Sequence, residues 1–463
     1  AMTINDKIPY LSTPLPEDIL RFSRAGYFTK ALSLIEGYLA EDIPEALRGR
    51  LELEKIRLIH LPADFPYTYP QAMALIHETI PDFTDEEFAV LEDAGRIDCL
   101  FVEGEKKYFS RFFETLTATH PDIAARSNPS LTLEAARKAQ FRRETMKKIM
   151  EDGGLQYHIH LRAGLQVKDE FFAPGKEMLV HLPFPKESSP TSHIRILRTS
   201  HNPTALAPVD APSRTIAFRT TLTENAAFWV EYEYDSTIRY QKPDPDGVSP
   251  LQPDFDTDEV LPHIRFTPFL RSLAEEITGS ETNPLCKAEK IYDYITTHVK
   301  YSFMKEYFLL DDIPEYCAIN RKGDCGVQAL LFITLCRIAG IPARWQSGLS
   351  ATPESIGPHD WAQFYIAPYG WLHADLSFGG SAFRAGDEER RKFYFCNLDP
   401  FRMVANTEFQ APLLPEKKGL RADPYDNQVG ECEIEGVGLY TTQFEYFHQM
   451  IDIHPVPCDF PEE

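Results

Sequence analysis

Lys322-Gly323-Asp324-Cys325-Gly326-Val327-Gln328-Ala329-Leu330 runs on into LFITLCRIAGIPARW at residues 331–345. From Val327 to Ile338 apolar side chains cover nearly the whole circumference of a helix, which predicts one buried on all sides. Gly340 with Pro342 just beyond marks its end. Asp324 is a good N-cap residue and puts Cys325 at or near the first helical position. Gln328 is expected on the solvent side, and Cys317 and Cys336 are read as structural thiols.

A helix N-terminus stabilises an anion, so a thiol there is biased towards thiolate. Such thiols can fall from a pKa of about 8.5 into the range of roughly 3.5 to 7.5. Gly323 and Gly326 leave room for a substrate backbone. The same amides could hold the oxyanion of a tetrahedral intermediate.

A thiol nucleophile needs a base, and the base an orienting group. GPHDWAQFYIAPYGWLHADLSFGG, residues 357–380, offers both. His359 opens an apolar strand, Pro368-Tyr369-Gly370 turns it, and Asp375 lies on the return near the level of Gln363. Cys325, His359 and Asp375 can then form a nucleophile–base–orienter triad. Asp360 is a poor partner for His359, because successive strand side chains point to opposite faces. His373, two residues before Asp375, is the rival imidazole. Trp361 and Trp371 read as core or groove-wall aromatics that shape a substrate groove.

The chain resembles the transglutaminase-like superfamily of papain-like cysteine enzymes over about residues 283–405. The resemblance rests on RKGDCGVQALLFITLCRIAGIPARWQSG, HDWAQFYI and YGWLHADLS, in that order. It implies Cys325 as nucleophile, His359 as general base and acid, and Asp375 as orienting carboxylate. It also implies an α+β core in which the cysteine helix packs on an antiparallel sheet, and a second oxyanion donor from a side chain upstream of the nucleophile. A β-sandwich ahead of that core recurs in some members.

The rest of the chain reads as three further units, giving an α+β multidomain protein. Residues 1–152 form an N-terminal helical region. PEDILRFSRAGYFTKALSLIEGYLA (16–40) has helical spacing, and Thr84 before acidic residues reads as an N-cap with a stop at Gly95. LTLEAARKAQFRRETMKKIMEDGG (131–154) is a charged helix stopping at Gly153-Gly154. The period then changes to two. LQYHIHLRAGLQV, EMLVHLPFP, HIRILRTS, SRTIAFRTTLT and AAFWVEYEYDSTIRY predict a β-sandwich over 155–262. His158 and His160 share one strand face but lack a third metal ligand nearby. The Pro/Asp-rich segment 241–259 reads as a solvated linker rather than an EF-hand. The core follows over 283–405, and 406–463 reads as a Pro-rich arm over the surface.

With 463 residues, 47 basic against 70 acidic and a net charge of −23, the chain lacks the basic footprint of nucleic-acid or anionic-membrane binding. No apolar run is long enough to cross a bilayer. Ala1 ahead of Met2 reads as a residue left by cloning, and the segment after it does not read as a secretory signal, so a cytoplasmic location is expected. Eight scattered cysteines suggest free thiols. The expectation is a cysteine-dependent amide or acyl hydrolase acting on a peptide or protein, without cofactor or metal, nucleic acid or membrane. The alternatives are a protein-glutamine transglutaminase and a catalytically silent scaffold of the same fold.

Overall fold

The computed structural model describes residues 2–461; Ala1 lies outside the described residues. The protein is an α+β multidomain chain. At its centre Cys325–Ile338 forms the expected helix, with Asp324 as N-cap accepting from the Val327 amide at 3.1 Å. Leu330, Leu331, Phe332, Ile333 and Leu335 are fully buried. At about 1.5–3 kcal/mol per large apolar side chain, they fix the helix against its sheet.

That sheet has five antiparallel strands, in the order Phe395–Cys396, Gly370–Ala374, Ile356–Ile366, Ala343–Ala351, Arg402–Asn406. Gln363 pairs with His373 and Ala362 with Ala374. The return strand therefore stops at Ala374, and Asp375 lies two residues past the level of Gln363. It is the N-cap of a helix, Leu376–Arg384, accepting from the Phe378 amide at 3.1 Å.

The sandwich strands form as their period-two pattern predicts, at Gly154–Val167, Glu177–Pro183, Thr191–Thr199, Thr215–Thr221 and Phe228–Arg239. The last part of the chain is not an arm laid over the surface. Glu431–Ile434 pairs with Glu177–Pro183, and Phe444–Pro455 pairs along Gly154–Val167 from Val167 to Tyr157. The tail thus supplies a strand to each sheet and covers what would be an open edge. Leu349 and Met403 of the central sheet share the sandwich core with Leu165 and Val180.

The N-terminal region is helical, apart from a hairpin of Cys99–Val102 and Glu105–Tyr108. Thr84 forms the expected capping box with Glu87. The long helix Pro129–Asp152 ends where Gly153 takes φ 78°, a left-handed conformation that glycine adopts without penalty. Buried Arg57 ties this region to the chain preceding the cysteine helix. It donates to the Phe308 carbonyl at 2.8 Å and to Asp311 at 2.7 Å.

Candidate functional site

His359 and Asp375 meet, although they belong to different elements. His359 Nε2 donates to Asp375 Oδ2 at 2.8 Å, and both side chains are buried. The ring stacks on Phe378 at 4.5 Å between centroids and lies beside Trp361. Arg402, fully buried, donates to the same Asp375 oxygen at 2.6 Å and to Asp399 Oδ2 at 2.8 Å. Burial alone would raise the Asp375 carboxyl. The His359 imidazole and the Arg402 guanidinium outweigh it and hold that carboxyl well below the usual carboxylate range.

Cys325 stands at the first position of its helix as expected, but its surroundings are acidic. Among the described residues, its thiol donates to Asp360 Oδ2 at 3.4 Å, not to His359. The cause is strand alternation: His359 and Trp361 face one way and Asp360 the other, towards the cysteine helix. Asp360 also accepts from Gln428 Nε2, which donates in turn to Asp426 Oδ2 at 2.8 Å. Tyr307 donates to Asp324 Oδ1 at 2.5 Å. Burial, then the acidic Asp360 and Asp324 side chains, push the Cys325 thiol well above its ordinary value. The helix-terminus bias towards thiolate is therefore outweighed at rest. Burial, with Asp426 and Asp324 close by, likewise pushes the Asp360 carboxyl well up.

The three residues assigned to substrate contact are placed differently from that reading. Trp361 is fully buried with its indole N–H given to Gln346 Oε1 at 2.5 Å, so it packs beneath His359. Trp371 pairs with Tyr365, six residues along the strand from His359, which is about 20 Å at the rise of an extended chain. It lies under Arg344. Gly326 does not open space for a ligand. A Cβ there would run into the Tyr307 hydroxyl, Asp360 Oδ2 and Trp345, so the glycine is required by protein atoms.

Other expectations resolve similarly. Gln328 is buried and donates to the Gly323 carbonyl at 2.9 Å instead of facing solvent. His373 lies within hydrogen-bond distance of Gln363 and the Ser189 carbonyl, and burial lowers its pKa to about 4. His158 and His160 face Asp235 and Glu231, at 2.8 and 2.9 Å. Cys317 and Cys336 are buried inside helices. Sequence reasoning missed Arg402, Gln428 and Asp426, which arrive from later segments without any local motif. Asp360 was legible as an acid beside His359, and the same alternation that separates it from His359 aims it at Cys325.

Residues 271–376 match the model of the Transglutaminase-like superfamily. An uncharacterized protein of Haemophilus influenzae is 29% identical over 155 residues, which cover 27% of this chain. The match spans 41% of that relative's own length. A candidate cysteine protease from Cytophaga hutchinsonii, known from its crystal structure, is 16% identical and covers 67% of this chain and 94% of its own, with a TM-score of 0.39. The periplasmic domain of TgpA from Pseudomonas aeruginosa, 16% identical, covers 50% of this chain and 92% of its own, with a TM-score of 0.28. No helix among the described residues is long and apolar enough to cross a membrane. The matched segment, which carries Cys325, His359 and Asp375, thus resembles the Transglutaminase-like superfamily.

Proposed function

We propose that the protein is a cysteine-dependent amide or acyl hydrolase with Cys325 as nucleophile, His359 as base and acid, and Asp375 as orienter. The observation that carries this reading is the buried His359 Nε2–Asp375 Oδ2 bond of 2.8 Å. An imidazole that donates from Nε2 to a carboxylate presents Nδ1 as the acceptor, the tautomer a thiol proton requires. The thiol lies against Asp360, on the opposite strand face from His359, so the reaction needs a rearrangement that brings Sγ and Nδ1 to one side of that strand. His359 takes the thiol proton as sulfur adds to the carbonyl carbon, then returns it to the leaving amine as the C–N bond breaks. Water then releases the thioester, with His359 again as base.

A peptide or protein substrate fits this chemistry, and no cofactor enters any step. The acidic net charge speaks against nucleic-acid or anionic-membrane partners. The cytoplasm suits eight cysteines that are free in the structure.

A scaffold of the same fold is the second reading, favoured by the burial and acidic neighbours that raise the Cys325 thiol. Turnover of p-nitrophenyl acetate and of a mixed peptide pool, with Cys325→Ser as control, separates the two. Loss of turnover in the variant supports the enzyme. Equal rates in both proteins support the scaffold. Adding a primary amine distinguishes hydrolysis from acyl transfer, because a transferase diverts the acyl group to the amine.

A further inference from the structure

Asp360 is 5% exposed, lies 3.4 Å from the Cys325 sulfur, and is not used in the proton path through His359. Its carboxyl is held from the side away from the thiol, where Gln428 donates to Oδ1, leaving Oδ2 aimed at Sγ. The groups that face it are Cys325, Asp324, Asp423, Asp426, Tyr301 and Tyr307. No guanidinium or ammonium stands among these. Arg111 acts on Asp324 and Arg421 on Asp423.

We propose that Asp360 supplies the side-chain hydrogen bond that holds the oxyanion formed when Cys325 adds to a carbonyl. The inference rests on Cys325 being the nucleophile. An oxyanion on a carbon bonded to Sγ lies close enough to that sulfur to meet a group that already sits 3.4 Å from it. Once the thiol proton has passed to His359 and the sulfur has turned to attack, Oδ2 is free to face that oxygen. The donor must carry a proton, and a carboxyl buried beside Asp324, Asp423 and Asp426 with no cation bonded to it is raised towards the acid form. In the step, the S–C bond forms and the carbonyl π pair moves to oxygen. Asp360 O–H donates without transferring its proton. On collapse the pair returns, the C–N bond breaks and the amine takes the proton from His359. The Cys325 backbone N–H is the natural second donor.

Two reagents isolate the effect on the full chain. p-Nitrophenyl acetate acylates Cys325 through a tetrahedral oxyanion, whereas iodoacetamide alkylates it by displacement at carbon and forms none. The ratio of the two rates cancels any change in thiol ionisation. It should fall about 100-fold in Asp360→Ala, as on loss of an oxyanion donor, and largely recover in Asp360→Asn, whose amide N–H can donate. In wild type the ratio should drop at high pH as Asp360 ionises, and in Asp360→Asn it should not. An unchanged ratio in Asp360→Ala, or no recovery in Asp360→Asn, would overturn the assignment while leaving the hydrolase reading intact. If the wild-type protein acylates no faster than Cys325→Ser, the hydrolase reading fails and Asp360 loses its role with it. A cooperative urea unfolding transition in each variant shows that the chain is folded.

Discussion

Arg402 Nη1 lies 2.6 Å from Asp375 Oδ2, the same oxygen that His359 Nε2 approaches at 2.8 Å. A fully buried carboxylate thus holds an imidazole on one side and a guanidinium on the other. The guanidinium also faces Asp399, so one cation serves two buried acids. Arg402→Met removes it and leaves both carboxylates uncompensated, which should cost about 3–5 kcal/mol in urea unfolding. The Asp375 carboxyl is depressed, so its contribution to stability is complete above about pH 4 and is lost only as pH falls through its folded value. In Arg402→Met that acid loss should begin at higher pH. An unchanged midpoint and an unchanged acid limb would remove Arg402 from the account.

Glu306 makes the opposite prediction. Burial, with Asp64 nearby, raises its pKa to about 7, against about 4.3 unfolded. Between those values the folded state binds more protons than the unfolded chain, so stability declines as pH rises. Glu306→Gln should flatten that decline and be more stable than wild type at pH 8. Asp312, also near 7, keeps part of the slope. Urea unfolding at pH 5 and pH 8 reads the difference, and parallel curves would count against a raised Glu306.

Gly326→Ala tests the crowding at the helix mouth. The added methyl meets the Tyr307 hydroxyl, the Asp360 carboxyl and Trp345. Overpacking of this kind costs roughly 1–3 kcal/mol. A lower unfolding midpoint is expected, with slower Cys325 acylation because Asp360 must shift. A variant as stable and as reactive as wild type would mean that the mouth has room to spare.

The resting thiol gives a fourth expectation. Burial, with Asp360 and Asp324, holds Cys325 protonated, whereas Cys458 is exposed. Iodoacetamide at pH 7 should therefore label Cys458 before Cys325, and raising the pH should narrow the gap. Faster labelling of Cys325 at neutral pH, mapped by mass spectrometry, would point to a preformed thiolate.

The α+β class and the cysteine helix were legible because local signals agree there: an Asp cap, an all-round apolar surface and a glycine stop. The His359–Asp375 meeting was legible through a hairpin, although Asp375 turned out to cap a helix just beyond the return strand. The tail was misread for a physical reason. Glu431–Ile434 and Phe444–Pro455 pair with strands more than 200 residues earlier, and Pro-rich spacers with charged edge residues hide their alternation. The thiol's environment was misread because a helix terminus is a local feature. Asp360 and Gln428 come from other elements and reverse its sign.

The central claim is that Cys325 acts as a nucleophile served by His359. It is tested most directly by following acetylation from p-nitrophenyl acetate by intact mass and peptide mapping, in wild type, Cys325→Ser and His359→Ala. The account predicts one acetyl group on Cys325 in wild type, none at that position in Cys325→Ser, and acylation slowed at least about 100-fold in His359→Ala. Acetylation spread over other residues, or an equal rate at Cys325 without the imidazole, would contradict it.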